Sequence, residues 1–136
     1  DDTKILDLIK TYPNNKKTNN ALFELANYYA LSEEHDKEIY IYDMILERNS
    51  DNASILNGYA WRMSELGMSL NKALNAGIRA INIENDSSRL PMIYDTVAEV
   101  YWKLDKVDSA IYYINIAIRM IGDDPYYLGQ RTKFMD

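Results

Sequence analysis

The chain is 136 residues long, carries a formal net charge of −6 and contains no cysteine. This length fits a single domain, 1–136, with a buried core. The acidic balance disfavours nucleic acid and anionic membrane surfaces as partners, because both are bound through basic patches. The lack of cysteine excludes disulfides, thiol chemistry and cysteine-based metal sites. No apolar run is long enough to predict membrane insertion.

The first predicted element is an amphipathic helix within residues 1–15, closed by Pro13. Its apolar residues Ile5, Leu8 and Ile9 follow helical spacing. The chain opens without Met, and this helix has no partner helix before it. We therefore interpret 1–15 as half of a repeat and expect the sequence to be a fragment of a longer chain.

Three matched segments follow, each predicted to form a hairpin of two helices. They span 19–52, 53–87 and 91–124. In the first helix of each segment, an alanine has bulky residues three and four positions away, a spacing that marks one face of a helix. Another helix can approach closely at this small residue. The alanines are Ala26, Ala60 and Ala98. The predicted second helices are Asp36–Arg48, Leu70–Ile83 and Val107–Met120.

The last predicted element is a capping helix at 125–136. Gly122 is suited to end the preceding helix, Asp124 to cap the next one, and Pro125 to occupy its first position. We expect this helix to shield the open end of a stack, because terminal units of repeat proteins need such a cover.

The three segments resemble the tetratricopeptide repeat family, in its bacterial type. The distance from Ala26 to Ala60 is about 34 residues, the length of one such unit. The next interval is four residues longer, and we place the extra residues in loops at Gly67–Ser69 and Ser88–Leu90. Gly77 departs from the family pattern, which has a larger residue there. The likeness is carried by Leu25, Ala26 and Tyr29, by Tyr59, Ala60 and Met63, by Val97, Ala98 and Tyr101, and by the pairs Ala73/Ala80 and Ala110/Ala117.

The resemblance implies an all-α fold: a right-handed α-solenoid of antiparallel hairpins with about three full repeats, a preceding half repeat and a C-terminal capping helix. Asn57, Ala60 and Trp61 are similar to residues in bacterial, often exported, repeat proteins. This favours an exported or periplasmic location, although the sequence leaves the compartment undecided.

The family's first helices line a concave groove, which gives the expected binding surface of this chain. Extended peptides suit such a surface, because amides can bond a peptide backbone while aromatic rings bury its side chains. Trp61 and Trp102 either face the groove or pack between helices; the sequence allows both. The residues expected to line the groove are Glu24, Asn27, Asn57, Trp61, Ser64, Asp95, Glu99, Trp102 and Lys103.

The charge of this surface predicts a neutral or basic partner segment. One subset of the family binds the acidic tails of chaperones through a clamp of basic residues and asparagines. Asn27 matches one amide of that clamp, but the basic positions hold the uncharged residues Phe23, Met92 and Thr96. An acidic tail would instead be repelled by the carboxylates of the expected groove.

No catalytic or cofactor-binding pattern is present in the sequence. His35 is the single histidine, and we interpret it as part of a solvated turn rather than as a metal ligand. The chain has no nucleophile elbow and no phosphate-binding glycine loop. We therefore expect a non-catalytic scaffold for protein–protein interaction, without a cofactor or metal. The alternatives are a docking module of a larger enzyme, for example one with a thioredoxin-like domain, and a self-association module that uses Ile5, Leu8 and Ile9.

Overall fold

The computed structural model describes residues 2–136; Asp1, the first residue of the expected half repeat, lies outside the described residues. Within this range the chain forms eight α-helices and one short 3-10 helix, and no strand. The chain divides into two compact units, Asp1–Ser50 and Asp51–Asp136. The α-helices are α1 (Asp2–Thr11), α2 (Lys17–Leu31), α3 (His35–Arg48), α4 (Ala53–Leu66), α5 (Leu70–Ile83), α6 (Leu90–Lys103), α7 (Val107–Ile121) and α8 (Pro125–Met135). The grouping of these helices into repeats stays a prediction.

The first unit is built on the hairpin of α2 and α3. Leu22 and Ala26 of α2 are fully buried, as is nearly all of Ile41 and Ile45 on α3. These residues recur at helical spacing, so each helix has one apolar face to pack against the other. The preceding helix α1 packs on α2.

The apolar residues of α1 are divided between the interior and the surface. Ile9 is buried, whereas Leu8 is 58% exposed, and Ile5 is intermediate between them. These three residues were expected to form an edge for self-association. The structure leaves Leu8 as the most exposed of the three.

The second unit contains two hairpins, α4–α5 and α6–α7, followed by α8. Helix α6 contacts α4, α5, α7 and α8, and is the central helix of the unit. Ala98 of α6 is fully buried in a cluster that includes the small residues Ala110 and Ala117 of α7. Phe134 of α8 completes this cluster. The small side chains allow α6 and α7 to approach closely, and the aromatic ring fills the space that remains.

The turn inside each hairpin contains a residue with left-handed backbone geometry that is not glycine. These residues are Glu33 (φ 57°), Ser69 (φ 52°) and Asp105 (φ 60°). Such geometry is unfavourable for residues with a Cβ atom, so the closure of the turn must impose it. In the second turn, Gly67 (φ 66°) supplies a further left-handed position at the end of α4.

Two local expectations are wrong. The expected loop at Ser88–Leu90 is a 3-10 helix, Ser87–Arg89, that leads directly into α6. The Asp86 side chain starts this turn, since its Oδ1 accepts hydrogen bonds from the Ser88 amide at 3.0 Å and the Ser88 hydroxyl at 2.7 Å. His35 lies at the start of α3 rather than in the turn, and although its side chain is 38% exposed, its Nδ1 lies 2.9 Å from Oε1 of the fully buried Glu38.

No helix within residues 2–136 combines the length and apolar character needed to cross a membrane.

Candidate binding surface

Asn57, Trp61 and Ser64 lie on one face of α4, which we call the α4 face, because they are four and three residues apart. Asn57 is only 9% exposed. Its Oδ1 is buried and has no hydrogen-bond partner within residues 2–136. A buried carbonyl oxygen without a partner costs about 1–3 kcal/mol, so a ligand that bonded this atom after a rotation of the Asn57 side chain would recover that cost.

The other two residues of the α4 face differ in their access to a ligand. Trp61 is half-buried, so part of its indole remains at the surface. Ser64 is fully buried, and its hydroxyl donates a 2.6 Å hydrogen bond to the Trp61 carbonyl. Ser64 was expected to line the groove, but the structure gives its side chain a bond to its own helix.

Asp95, Glu99 and Trp102 form the α6 face, with the same four- and three-residue spacing. All three contact α8. Asp95 accepts a 2.8 Å hydrogen bond from the Tyr126 hydroxyl and a 2.9 Å bond from Gln130 Nε2. Gln130 Nε2 also lies 3.0 Å from Glu99 Oε2, so one amide bridges the two carboxylates.

Lys133 joins the acidic and aromatic parts of the α6 face. Its Nζ lies 2.8 Å and 2.7 Å from the two oxygens of Glu99. The same ammonium lies 4.6 Å from the centre of the Trp102 ring, within the range of a cation–π interaction. Phe134 also packs on Trp102, with its ring centre 5.8 Å from that of Trp102. Trp102 therefore contacts α8 while part of its indole remains at the surface.

Burial raises the pKa of Asp95 above its ordinary value of 3.8. The hydrogen bonds from Gln130 and Tyr126 and the charge of Lys133 act in the opposite direction, while Glu99 adds to the rise. Burial, followed by the hydrogen bond to Asp95, also raises the pKa of Tyr126 well above its ordinary value. The site is short of positive charge: Asp95 and Glu99 are both buried, and among the residues described Lys133 pairs with Glu99, whereas Asp95 is bonded by the neutral groups of Tyr126 and Gln130.

The remaining expected groove residues lie at the surface. Lys103 is exposed at the end of α6, with its Nζ 5.6 Å from the centre of the Trp102 ring. In the first unit, Glu24 and Asn27 are exposed on α2. Glu24 lines a cleft of about 520 Å³ together with Tyr28, which is 61% exposed, and Lys37.

Sequence reasoning missed Tyr126, Gln130 and Lys133, the polar residues that bond the α6 face. With Phe134 they are spaced by four, three and one residues, which places them on one side of α8. This helical spacing is visible in the sequence and could have indicated that these residues share one face of α8. Because most of these side chains are polar, the pattern is typical of a solvated helix face rather than a packed one.

The structure is similar to the N-terminal domain of stress-induced protein-1 (STI-1) from C. elegans, with a TM-score of 0.67. The alignment covers 88% of this chain and 96% of that domain. The fold is tetratricopeptide-like. This confirms the predicted fold class, an all-α arrangement of helix hairpins. At 14% identity the similarity establishes the fold alone. No family model and no curated protein matches the sequence.

Proposed function

We propose that the chain is a non-catalytic module for protein–protein interaction that binds a peptide segment of a partner through the α4 face. The tetratricopeptide-like fold supports this proposal, because stacked helix pairs of this kind present extended surfaces to partners. The observation that carries it is the buried Oδ1 of Asn57, which has no partner within residues 2–136. A rotation of the Asn57 side chain would bring this oxygen to a backbone N–H of a bound peptide, and the neighbouring Trp61 would cover an apolar side chain of the same peptide.

The partner segment is expected to be neutral or basic. The chain carries a net charge of −6, whereas Asp95 and Glu99 of the adjacent α6 face lie buried beneath α8, so the attraction comes from the net charge of the surface as a whole. A basic segment would be attracted to this surface, and an acidic one would be repelled.

The proposal is tested with a random peptide-display library selected on the immobilised full chain. Enriched peptides are then titrated against the chain, with binding followed by fluorescence. The chain contains only two tryptophans, so a Trp102→Phe variant leaves Trp61 as the sole indole reporter. Binding at the α4 face should change the emission of Trp61, and the enriched peptides should be neutral or basic.

Asn57→Leu separates binding from folding. The substitution removes a buried polar atom that has no partner, so stability should be unchanged or slightly increased. Peptide affinity should fall about ten-fold or more, equivalent to about 1.4 kcal/mol. Trp61→Ala should have a similar effect on affinity, whereas Met120→Ala, at an exposed position of α7, serves as the matched control and should have none. Unchanged affinity in both Asn57→Leu and Trp61→Ala, or enrichment of acidic peptides, would contradict the proposal.

A further inference from the structure

Helix α8 packs on α7 and α6, and its polar side chains bond the α6 face. Tyr126, Gln130, Lys133 and Phe134 all lie on one side of α8. Gln130 and Phe134 are buried, and the four side chains together meet both the carboxylates and the indole of the α6 face. This is the helix-in-groove mode of recognition, in which one helix places a line of side chains into a surface formed by others.

The attachment of α8 depends on few buried groups. Among its residues only Gln130 and Phe134 are buried, while Tyr126 is 51% exposed and Met135 is 67% exposed. The helix is 11 residues long and contains Gly129 in its interior. An isolated helix of this length is marginal in water, so α8 depends on its contacts with α6 and α7 to remain folded.

The charges beneath α8 are incompletely matched. Asp95 and Glu99 are both buried, and Lys133 bonds Glu99 alone. Asp95 is bonded by the neutral groups of Tyr126 and Gln130. Buried carboxylates are costly unless they are paired with an opposite charge. A helix that placed a second cation where Tyr126 lies would pair both carboxylates and would bind this surface better than α8 does.

We propose that the surface beneath α8 is a binding site for a basic amphipathic helix of a partner protein, and that α8 occupies it as a weaker intramolecular ligand. The partner helix carries Lys or Arg at the two positions that correspond to Tyr126 and Lys133, seven residues apart, and an aromatic residue directly after the second. The proposal rests on the proposed function as an interaction module. It adds the chemistry of one partner and a second surface, which becomes accessible when α8 is displaced.

The test uses synthetic peptides and the full chain. The probe is a labelled peptide of residues 124–136 with Tyr126→Lys, compared with the unchanged peptide and with a peptide carrying Lys133→Glu. In fluorescence anisotropy titrations, the Tyr126→Lys peptide should bind about ten-fold or more tightly than the unchanged peptide. The Lys133→Glu peptide should not bind, because it brings a third carboxylate to Asp95 and Glu99.

Competition with α8 is measured on a full-chain variant. Gln130→Ala with Lys133→Ala removes contacts of α8 but leaves the α6 face intact, so this double variant should bind the Tyr126→Lys peptide about ten-fold or more tightly than the unaltered chain. Met135→Ala, at an exposed position of the same helix, is the matched control and should leave the affinity unchanged. Circular dichroism verifies that the double variant keeps its helices. If the double variant loses its helices, the proposal is tested by the affinities of the three peptides for the unaltered chain.

Two results would overturn the proposal. One is equal binding of the Tyr126→Lys and Lys133→Glu peptides to the unaltered chain. The other is equal affinity for the Tyr126→Lys peptide in a folded double variant and in the unaltered chain. Asn57→Leu leaves the α6 face intact, so its effect on library peptides reports the α4 face alone. A failure of this proposal is therefore distinguishable from a failure of the proposed function.

Discussion

Gly77 marks a close approach between α5 and α6, and Gly77→Ala tests it. A Cβ atom at this position would lie 2.8 Å from Val97 Cγ2 and 3.7 Å from the Ala60 Cβ. Carbon atoms pack best at about 3.5–4.0 Å, so the new methyl group requires Val97 to move. Val97 is fully buried and β-branched, which restricts both its rotation and its displacement. We therefore predict that Gly77→Ala does not stabilise the chain, although alanine is the better helix former.

Two opposing effects determine how much Gly77→Ala changes the free energy of unfolding. Replacing glycine by alanine inside a helix favours folding by about 1 kcal/mol, whereas overpacking a core costs about 1–3 kcal/mol. The net effect of Gly77→Ala is expected to range from no change to a loss of about 2 kcal/mol. Gly58 of α4 is the matched control, because an added Cβ there meets nothing within 4 Å. Gly58→Ala should stabilise the chain by about 0.5–1 kcal/mol.

The assay is urea denaturation followed by circular dichroism at 222 nm, a wavelength that reports helix content. The free energy of unfolding should be about 0.5–3 kcal/mol lower in Gly77→Ala than in Gly58→Ala. A second substitution, Val97→Ala, relieves the collision, so it should cost less in the Gly77→Ala background than in the unaltered chain. If Gly77→Ala and Gly58→Ala stabilise the chain equally, the described contact between α5 and α6 is wrong.

Three further predictions concern packing, capping and pH. Ala98→Leu should destabilise the chain by about 1–3 kcal/mol, because Ala98 is fully buried against α7; a neutral result in urea denaturation would place Ala98 elsewhere. Asn52→Ala should cost about 1 kcal/mol in the same assay, since the Asn52 Oδ1 caps α4 through a 3.0 Å bond from the Ile55 amide. Burial raises the pKa of Asp95 above 3.8, so the folded chain holds this proton to a higher pH than the unfolded chain does. The stabilisation from Asp95 should accordingly be present at low pH and be lost as the pH rises through the pKa of Asp95 in the folded chain. Urea denaturation at a series of pH values in this range should therefore show a smaller decrease in the free energy of unfolding for Asp95→Asn than for the unaltered chain.

The helices could be predicted from the sequence because their apolar residues recur at a regular spacing. Leu70–Ile83 is a helix at the predicted bounds, and Asp124 caps α8 as predicted, with its Oδ1 accepting a 2.8 Å hydrogen bond from the Tyr126 amide. Both features depend on local patterns of a few residues, which the sequence displays directly. The sequence also shows that Gly77 departs from the repeat pattern. Why a glycine stands there is clear only from the structure, which places Val97 of α6 next to it.

The covering of the α6 face could not be predicted in the same way. Asp95 and Glu99 occupy positions that the family resemblance places in an open groove. Whether they are open depends on where α8 packs, and α8 meets them through the polar side chains of Gln130 and Lys133. Hydrophobic periodicity does not report polar contacts between distant residues. The residues of the α6 face could therefore be predicted from the sequence, but the helix that covers them, α8, could not.

The left-handed residues at the hairpin turns offer a way to strengthen the chain without altering any surface described above. Glu33, Ser69 and Asp105 each hold a backbone geometry that costs a residue with a Cβ about 1–2 kcal/mol. Glycine adopts this geometry without that cost. The net gain from glycine at each turn is the strain relieved less the larger backbone entropy that glycine loses on folding, and such substitutions change the stability of the chain without touching the α4 or α6 face.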